Sequence, residues 1–205
     1  MLTKLTYAFR ITHIANIPYI EKVGLVRADS PLRDPAYVSI GDKKVIEVRS
    51  NRIAQGHRLR DYIPFYLGPR SPMLYVIQHG YNGVQRVNAE DIVYCVVRLA
   101  DLQQSDIDLV FTDGHALSVL SSYFEKKDLP RIDSLVKVQD VYSSQWNLEE
   151  DLDLKRRKEA ELLVKGDLAV DYIKGYVVYN DEAKERLIAM GVPREKVAVR
   201  PGYYF

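Results

Sequence analysis

The chain has 205 residues, 47% of them hydrophobic, which suffices for one sizeable core and fits a single domain over 1–205. With 29 Lys and Arg against 28 Asp and Glu, the formal net charge of +1 excludes a global field that would attract a polyanion, so any nucleic-acid site must be a local patch. A single cysteine, Cys95, excludes an internal disulfide and no window approaches the roughly 20 apolar residues of a membrane span, so the expectation is a cytoplasmic protein without a membrane partner.

In chain order, YAFRITHI reads as a strand rich in β-formers, followed by a short helix capped by Asn16, with Pro18 in its first turn and Gly24 at its end. AYVSI (36–40) and KVIEVR (44–49) both read as strand-like, and the polar, basic SNRIAQGHRLR (50–60) as a mobile loop. DYIPFYLGPRSPMLYVIQ holds two apolar runs separated by Gly68, Pro69, Arg70 and Ser71, and Asn82 and Gly83 mark a later turn. DIVYCVVRL (91–99) is nearly continuous in apolar β-formers, as a central strand would be; Cys95 within it suits an inert buried thiol. VFTDG leads into a predicted helix with Leu117, Leu120 and Phe124 at helical spacing and Asp113 as its cap. A charged helix, EEDLDLKRRK, then runs into ELLV, a Gly166–Asp167 turn and the apolar AVDYIKGYVVY. A helix (DEAKERLIAMG), a strand (KVAVR) and the closing PGYYF complete the chain. Many strands, few short helices and no regular βαβ alternation predict an α+β fold with a mainly antiparallel sheet.

Several chemistries find no support. There is no Walker-type phosphate loop, no strand-associated GxGxxG and no G-x-S-x-G elbow. The four histidines show no pairwise metal spacing and one cysteine cannot build a zinc site, so no metal is expected. What remains is a set of polar residues inserted into apolar segments. His13 in RITHI is on local grounds more often a satisfied core residue, Arg70 and Ser71 could simply form a turn, and His115 could merely start a helix. Glu161 at the head of LLV is the sharpest case. Facing inward it would be costly unless something binds it, and facing outward it merely continues the charged helix.

Taken in order, RITHIANI with GLV after it, DYIPFYLGPRSPMLY, FTDGHA, KRRKEAELLV and the closing GYYF resemble the DarT family of DNA ADP-ribosyltransferase toxins, from residue 10 to 205. The resemblance implies the ADP-ribosyltransferase fold, a split antiparallel sheet gripping NAD as substrate, with no metal. It assigns Glu161 as the catalytic carboxylate that stabilises positive charge on the nicotinamide ribose. Neighbours on a strand face opposite sides, so if the catalytic position were Ala160 the chain would be inactive. It places His13, Thr12, Asn16, Tyr66, Arg70, Ser71 and Met73 around NAD. Arg52 would stabilise the deprotonated acceptor base, with Arg49 as the alternate if the register slips, and His115 would orient the acceptor or relay its proton. Arg49, Trp146, Lys155 and Arg156 would meet single-stranded DNA, the tryptophan by stacking. Thymine is the implied acceptor, with guanine, RNA or protein as alternatives. A noncatalytic nucleic-acid-binding module is a further reading, which NAD-induced thermal stabilisation would separate from the enzymes. A macrodomain-containing antitoxin is the implied partner.

Overall fold

A computed structural model describes residues 4–205. Strands β1 (Tyr7–His13), β2 (Ile53–Ala54), β3 (His57–Arg58), β4 (Tyr62–Tyr66), β5 (Ile92–Arg98), β6 (Leu109–Thr112), β7 (Tyr123–Glu125), β8 (Glu161–Lys165), β9 (Ile173–Val178) and β10 (Val197–Val199) alternate irregularly with short helices. These are α1 (Ile17–Val23), α2 (Lys43–Asn51), α3 (Pro72–His79), α4 (Leu99–Gln104), α5 (Ile132–Leu135), α6 (Val138–Val141), α7 (Leu154–Lys158) and α8 (Asp181–Ala189). Eight strands form one sheet in the order β10-β9-β5-β1-β4-β8-β6-β7, antiparallel except for the β9–β10 pair, while β2 and β3 make a small hairpin of their own.

The sheet is split down its middle. β1 pairs with β5 along all seven of its residues, but with β4 only at Phe9 opposite Tyr66. Beyond that rung the two halves diverge, with Arg10 Nη1 donating across the gap to the Pro64 carbonyl (3.1 Å). Pro64 can occupy an interior strand because it lacks only the donor that would have faced β1, where no ladder exists.

β5 is buried on both faces, which explains its unbroken apolar run: Val93, Cys95 and Val97 pack into one core, Ile92, Tyr94 and Val96 into the other. Burial pushes the Cys95 thiol up to about 12, in keeping with an inert core residue. The GYYF tail is fastened to the second core. The Tyr204 hydroxyl lies 3.0 and 2.9 Å from the Ile92 and Val177 carbonyls, and the Tyr94 hydroxyl donates to Tyr203 O (2.7 Å).

Four elements differ from the sequence expectation. KVIEVR is helical, not a strand: Asp42 accepts from the Lys44 and Val45 amides and caps α2, and this outweighs the β-branched content. AYVSI forms no strand, because its backbone is tied at Val38 to the Asn16 side chain rather than to a neighbouring strand. Asn16 is accordingly spent there, and it is His13 Nδ1 that accepts from the Ala15 amide at the helix start. The 50–60 segment contains the β2–β3 hairpin, held by Gln55 Nε2 donating to Ser121 O (2.9 Å). The expected helix after Asp113 is a loop followed by β7: Leu120 is 71% exposed, and Asp113 accepts from Ser122 N and Arg156 Nη1 instead of capping. Apolar spacing of three and four residues there coincides with a loop and a short edge strand, which periodicity alone cannot separate.

Gly68 lies in the turn that leads from β4 to α3. A Cβ there would sit 2.0 Å from the Val141 carbonyl oxygen, whereas at Gly202 nothing lies within reach. Gly68→Ala is expected to lower stability by about 1–3 kcal/mol, with Gly202→Ala nearly silent, measured as urea unfolding midpoints.

Candidate active site

Where β1 and β4 part, a cleft of about 290 Å³ opens, walled by β1, β4, α2, α3 and the segment between α1 and α2. Glu161, the first residue of β8, faces into it while only 2% exposed, which decides against an outward edge position. Its position is set on both sides: Tyr66 of β4 lies opposite, and its amide donates to Thr112 Oγ1 (3.1 Å), whose own hydrogen goes to Gly114 O (2.6 Å). Ala160, by contrast, points into the core, and its carbonyl accepts from Leu67 N (2.9 Å).

The Glu161 carboxylate is closely attended. Oε1 accepts from Arg49 Nη1 (3.1 Å) and from the Ala116 amide (2.8 Å), and His115 Nε2 stands 3.9 Å away. Arg49 Nη2 lies 2.9 Å from Oε2, close enough for charge pairing but outside hydrogen-bonding geometry, so its protons have no partner. Burial alone would raise the Glu161 pKa, but the Arg49 charge, His115 and these hydrogen bonds outweigh it and hold the carboxyl below its ordinary range. Burial likewise works against the charge on Arg49, and Glu161 more than restores it. His115 is pushed down, chiefly by burial and further by Arg49 and Lys155, against the pull of Glu161. Its imidazole is therefore neutral at neutral pH.

Two residues before Glu161, the Glu159 carboxyl is pushed up to about 7 by burial and by the Glu161 charge, with Lys155 and Lys158 opposing. A folded pKa above the unfolded value means that stability falls as pH rises from about 4.5 through 7, where the unfolded chain gives up this proton first. Glu159→Gln is expected to stabilise the protein by up to about 3 kcal/mol near pH 8.5 and hardly at all near pH 4.5, read from urea titrations at the two values.

Of the residues singled out in the sequence, Asn16, Arg49, Tyr66, Met73, His115 and Glu161 line the cleft. Thr12 stands just behind, its Oγ1 accepting from Asn16 Nδ2 (2.9 Å) and 3.3 Å from the Tyr37 hydroxyl. His13 caps the turn after β1, and Ser71 Oγ caps α3 through Leu74 N (3.2 Å). Arg52, the last-turn neighbour of α2, is exposed and points to no acidic partner among the described residues, so α2 brings Arg49 rather than Arg52 to Glu161. Arg70 does not line the cleft; its guanidinium lies over the Phe205 ring, 4.5 Å from its centroid. Arg156 is committed to Asp153 and Asp113 and shapes the 113–122 loop. Lys155 is exposed on α7, and Trp146 packs edge-on against Tyr75 and Phe205. Arg10 was missed: a lone cation inside the apolar YAFRITHI was the available signal, and it lines the cleft. Tyr37, from the segment read as a strand, also lines it.

Chemically, the arrangement is a buried, ionised carboxylate beside a neutral imidazole, in a cleft with apolar walls (Ile11, Pro64, Met73) and two cationic side chains (Arg10, Arg49). That set suits a ligand with a developing positive charge and anionic groups, as NAD has. Among the described residues no group of three or more His, Cys, Asp or Glu could hold a metal ion, and no helix is long and apolar enough to cross a membrane.

Comparison with known proteins agrees with this chemistry. The family described as "ssDNA thymidine ADP-ribosyltransferase, DarT" matches residues 9–205. A DNA ADP-ribosyl transferase of Escherichia coli O127:H6 is 29% identical over 212 residues, covering 96% of this chain and 92% of the relative. A DNA ADP-ribosyl transferase–DNA ADP-ribosyl glycohydrolase fusion protein of Thermosipho africanus is 28% identical over 189 residues, 91% of this chain but 46% of the fusion. Among solved structures, Thermus sp. 2.9 DarT superposes in complex with NAD+ (TM-score 0.79, 26% identity, 100% of both chains) and in complex with ADP-ribosylated ssDNA (TM-score 0.82, 27% identity, 99% and 98% of the chains). A split sheet, a buried glutamate at the head of β8 and a family match over nearly the whole length together place this chain in the DarT family of NAD-dependent ssDNA thymidine ADP-ribosyltransferases.

Proposed function

We propose that this chain transfers ADP-ribose from NAD to the imide nitrogen of a thymine in single-stranded DNA, with Glu161, Arg49 and His115 in the central roles. The observation that carries this reading is the buried, ionised Glu161 carboxylate aimed into the cleft and held by Arg49 and the Ala116 amide. A fixed negative charge in a water-poor site stabilises the positive charge that develops on the ribose as the bond to nicotinamide breaks. Nicotinamide departs as a neutral molecule, so this bond cleavage asks for no metal and no covalent nucleophile.

The acceptor nitrogen must lose its proton as its bond to the ribose forms. His115, kept neutral by burial, is the proton acceptor in reach of Glu161. Arg49, held in the cleft by its pairing with Glu161, supplies a cation beside the base as it becomes anionic; this is the role the resemblance gave to Arg52 with Arg49 as alternate. Asn16, Tyr66, Met73 and Arg10 would position NAD in the cleft, Arg10 by pairing with its pyrophosphate, while Thr12 holds Asn16 from behind. A base paired in a duplex hides its imide edge, which accords with a single-stranded substrate.

Mass spectrometry of a mixed-sequence single-stranded oligonucleotide after incubation with the protein and NAD tests the reading. A gain of one ADP-ribose that disappears from a thymine-free oligonucleotide is expected. A gain that follows guanine, RNA or protein instead would overturn the acceptor assignment. The modified DNA would be toxic to a cell, and the natural fusion of a related transferase to a DNA ADP-ribosyl glycohydrolase supports a macrodomain-type antitoxin as the partner that removes the adduct.

A further inference from the structure

Outside the cleft, the largest unexplained feature is a cluster of rings next to a cation. Tyr75 and His79 on α3, Tyr81 just after it, Trp146 from the loop between α6 and α7, and Phe205 from the tail meet with centroids 4.1–5.6 Å apart. His79 and Tyr81 are exposed, the latter by 49%, and their rings stack nearly parallel with 8° between planes. A buried aromatic cluster would be ordinary core, but the outer rings of this one face water. Phe205 is held in place by a reciprocal pair of hydrogen bonds between its backbone and the Gln78 side chain.

Arg70 completes the cluster. Its guanidinium lies over Phe205, pairs with no carboxylate among the described residues, and its buried Nε has no hydrogen-bond partner. The Arg70 side chain donates to no acceptor among the described residues and is half-buried, so its terminal amino groups can meet an anion. Lys158, buried on α7, donates to the Pro69 carbonyl (2.8 Å) and to Val141 O (2.7 Å), so the turn carrying Arg70 is fixed rather than loose. The cluster also adjoins the site. The chain runs from Tyr66, opposite Glu161, through three residues to Arg70, and α3 presents Met73 to the cleft while carrying Tyr75 and His79 outward.

From this placement we infer that the rings of Tyr75, His79, Tyr81 and Trp146, with Arg70, form a shelf for the nucleotides that flank the target thymine. An unpaired base stacks on the exposed rings and a backbone phosphate meets Arg70. Flat faces interleaved with a cation are what single-stranded DNA requires, because every base has a face to stack and every linkage carries a charge. The inference rests on the proposed DNA substrate and adds where the strand runs outside the cleft.

The lone tryptophan makes the shelf observable. In the wild-type protein without NAD, a thymine-containing single-stranded 9-mer (about four nucleotides beyond the target on each side, the reach of a small stacking surface) is expected to quench Trp146 emission, and a duplex of the same sequence is not. With NAD, Arg70→Ala and Tyr81→Ala are each expected to raise KM for that oligonucleotide by about 5- to 100-fold, the range of one lost stacking or phosphate contact, while kcat changes little. Their KM for a trinucleotide centred on thymine, too short to reach the shelf, should stay at the wild-type value. If the wild type modifies the oligonucleotide but Trp146 emission is unmoved and both variants match it in KM, the shelf is overturned and the enzyme reading stands. Quenching without transfer to any oligonucleotide would keep the shelf and overturn the enzyme reading. Neither quenching nor transfer would overturn both.

Discussion

Glu161→Gln is expected to slow ADP-ribosyl transfer by about a thousandfold, somewhat more than the loss of one hydrogen-bond donor in a preorganised site, because a full charge is removed. The substitution preserves size and leaves an amide able to accept from Ala116 N, so the change reports on charge rather than shape. NAD should still raise the melting temperature of the variant, since the cationic and apolar walls of the cleft remain. Single-turnover rates from mass spectrometry, measured beside melting curves with and without NAD, check both halves. A variant that transfers at the wild-type rate would remove Glu161 from the chemistry.

Arg49→Ala carries the second large effect, and it should be felt in stability as well as in rate. Glu161 would be left as a buried carboxylate without its counter-ion, at a cost of about 3–5 kcal/mol. Burial would then dominate its ionisation and drive its pKa upward, so that the residual activity of the variant rises with pH as the carboxyl recovers its charge. In the wild type the pKa is shifted the other way. Glu161 is held below 4.5, so its contribution to stability is fully present above that value and is lost as pH falls through the folded pKa. Arg52→Ala is the matched control: exposed and without an acidic partner, it should change stability by less than about 0.5 kcal/mol. Urea midpoints for the two variants, with transfer rates taken across a pH series, distinguish the arginines three residues apart.

How much of this was legible in the sequence depends on which forces set each element. β1, β5 and β8 were readable because an apolar run or β-branched content determines them locally, and α8 because Asn180 caps it through Ala183 N. α2 was misread because Val45, Ile46 and Val48 outweighed the single capping aspartate before them, and only the cap reveals the helix. The loop after Asp113 could not be read at all: its shape comes from Arg156, more than thirty residues on, bonding Asp113 and Ser121. The same distinction holds at the site. Glu161 announced itself as a carboxylate heading an apolar strand, whereas the choice between Arg49 and Arg52 turns on the helical phase of α2, invisible once that segment was taken as extended. Arg70 was read as facing the cofactor from its neighbours in the chain, yet its backbone sits in the left-handed region (φ 53°) and its side chain lies over the Phe205 ring instead.

The single rung between β1 and β4 means that this sheet carries an edge in its interior. An edge at the periphery invites foreign strands to add to it, and proteins ordinarily blunt it with lysines, bulges or brevity. Here the unpaired flank of β1 lies between two half-sheets of one molecule, with Arg10 reaching across to Pro64. The fold can therefore leave the β1–β4 ladder open along its ligand cleft without placing that edge at the periphery of the sheet, where it would template fibril growth.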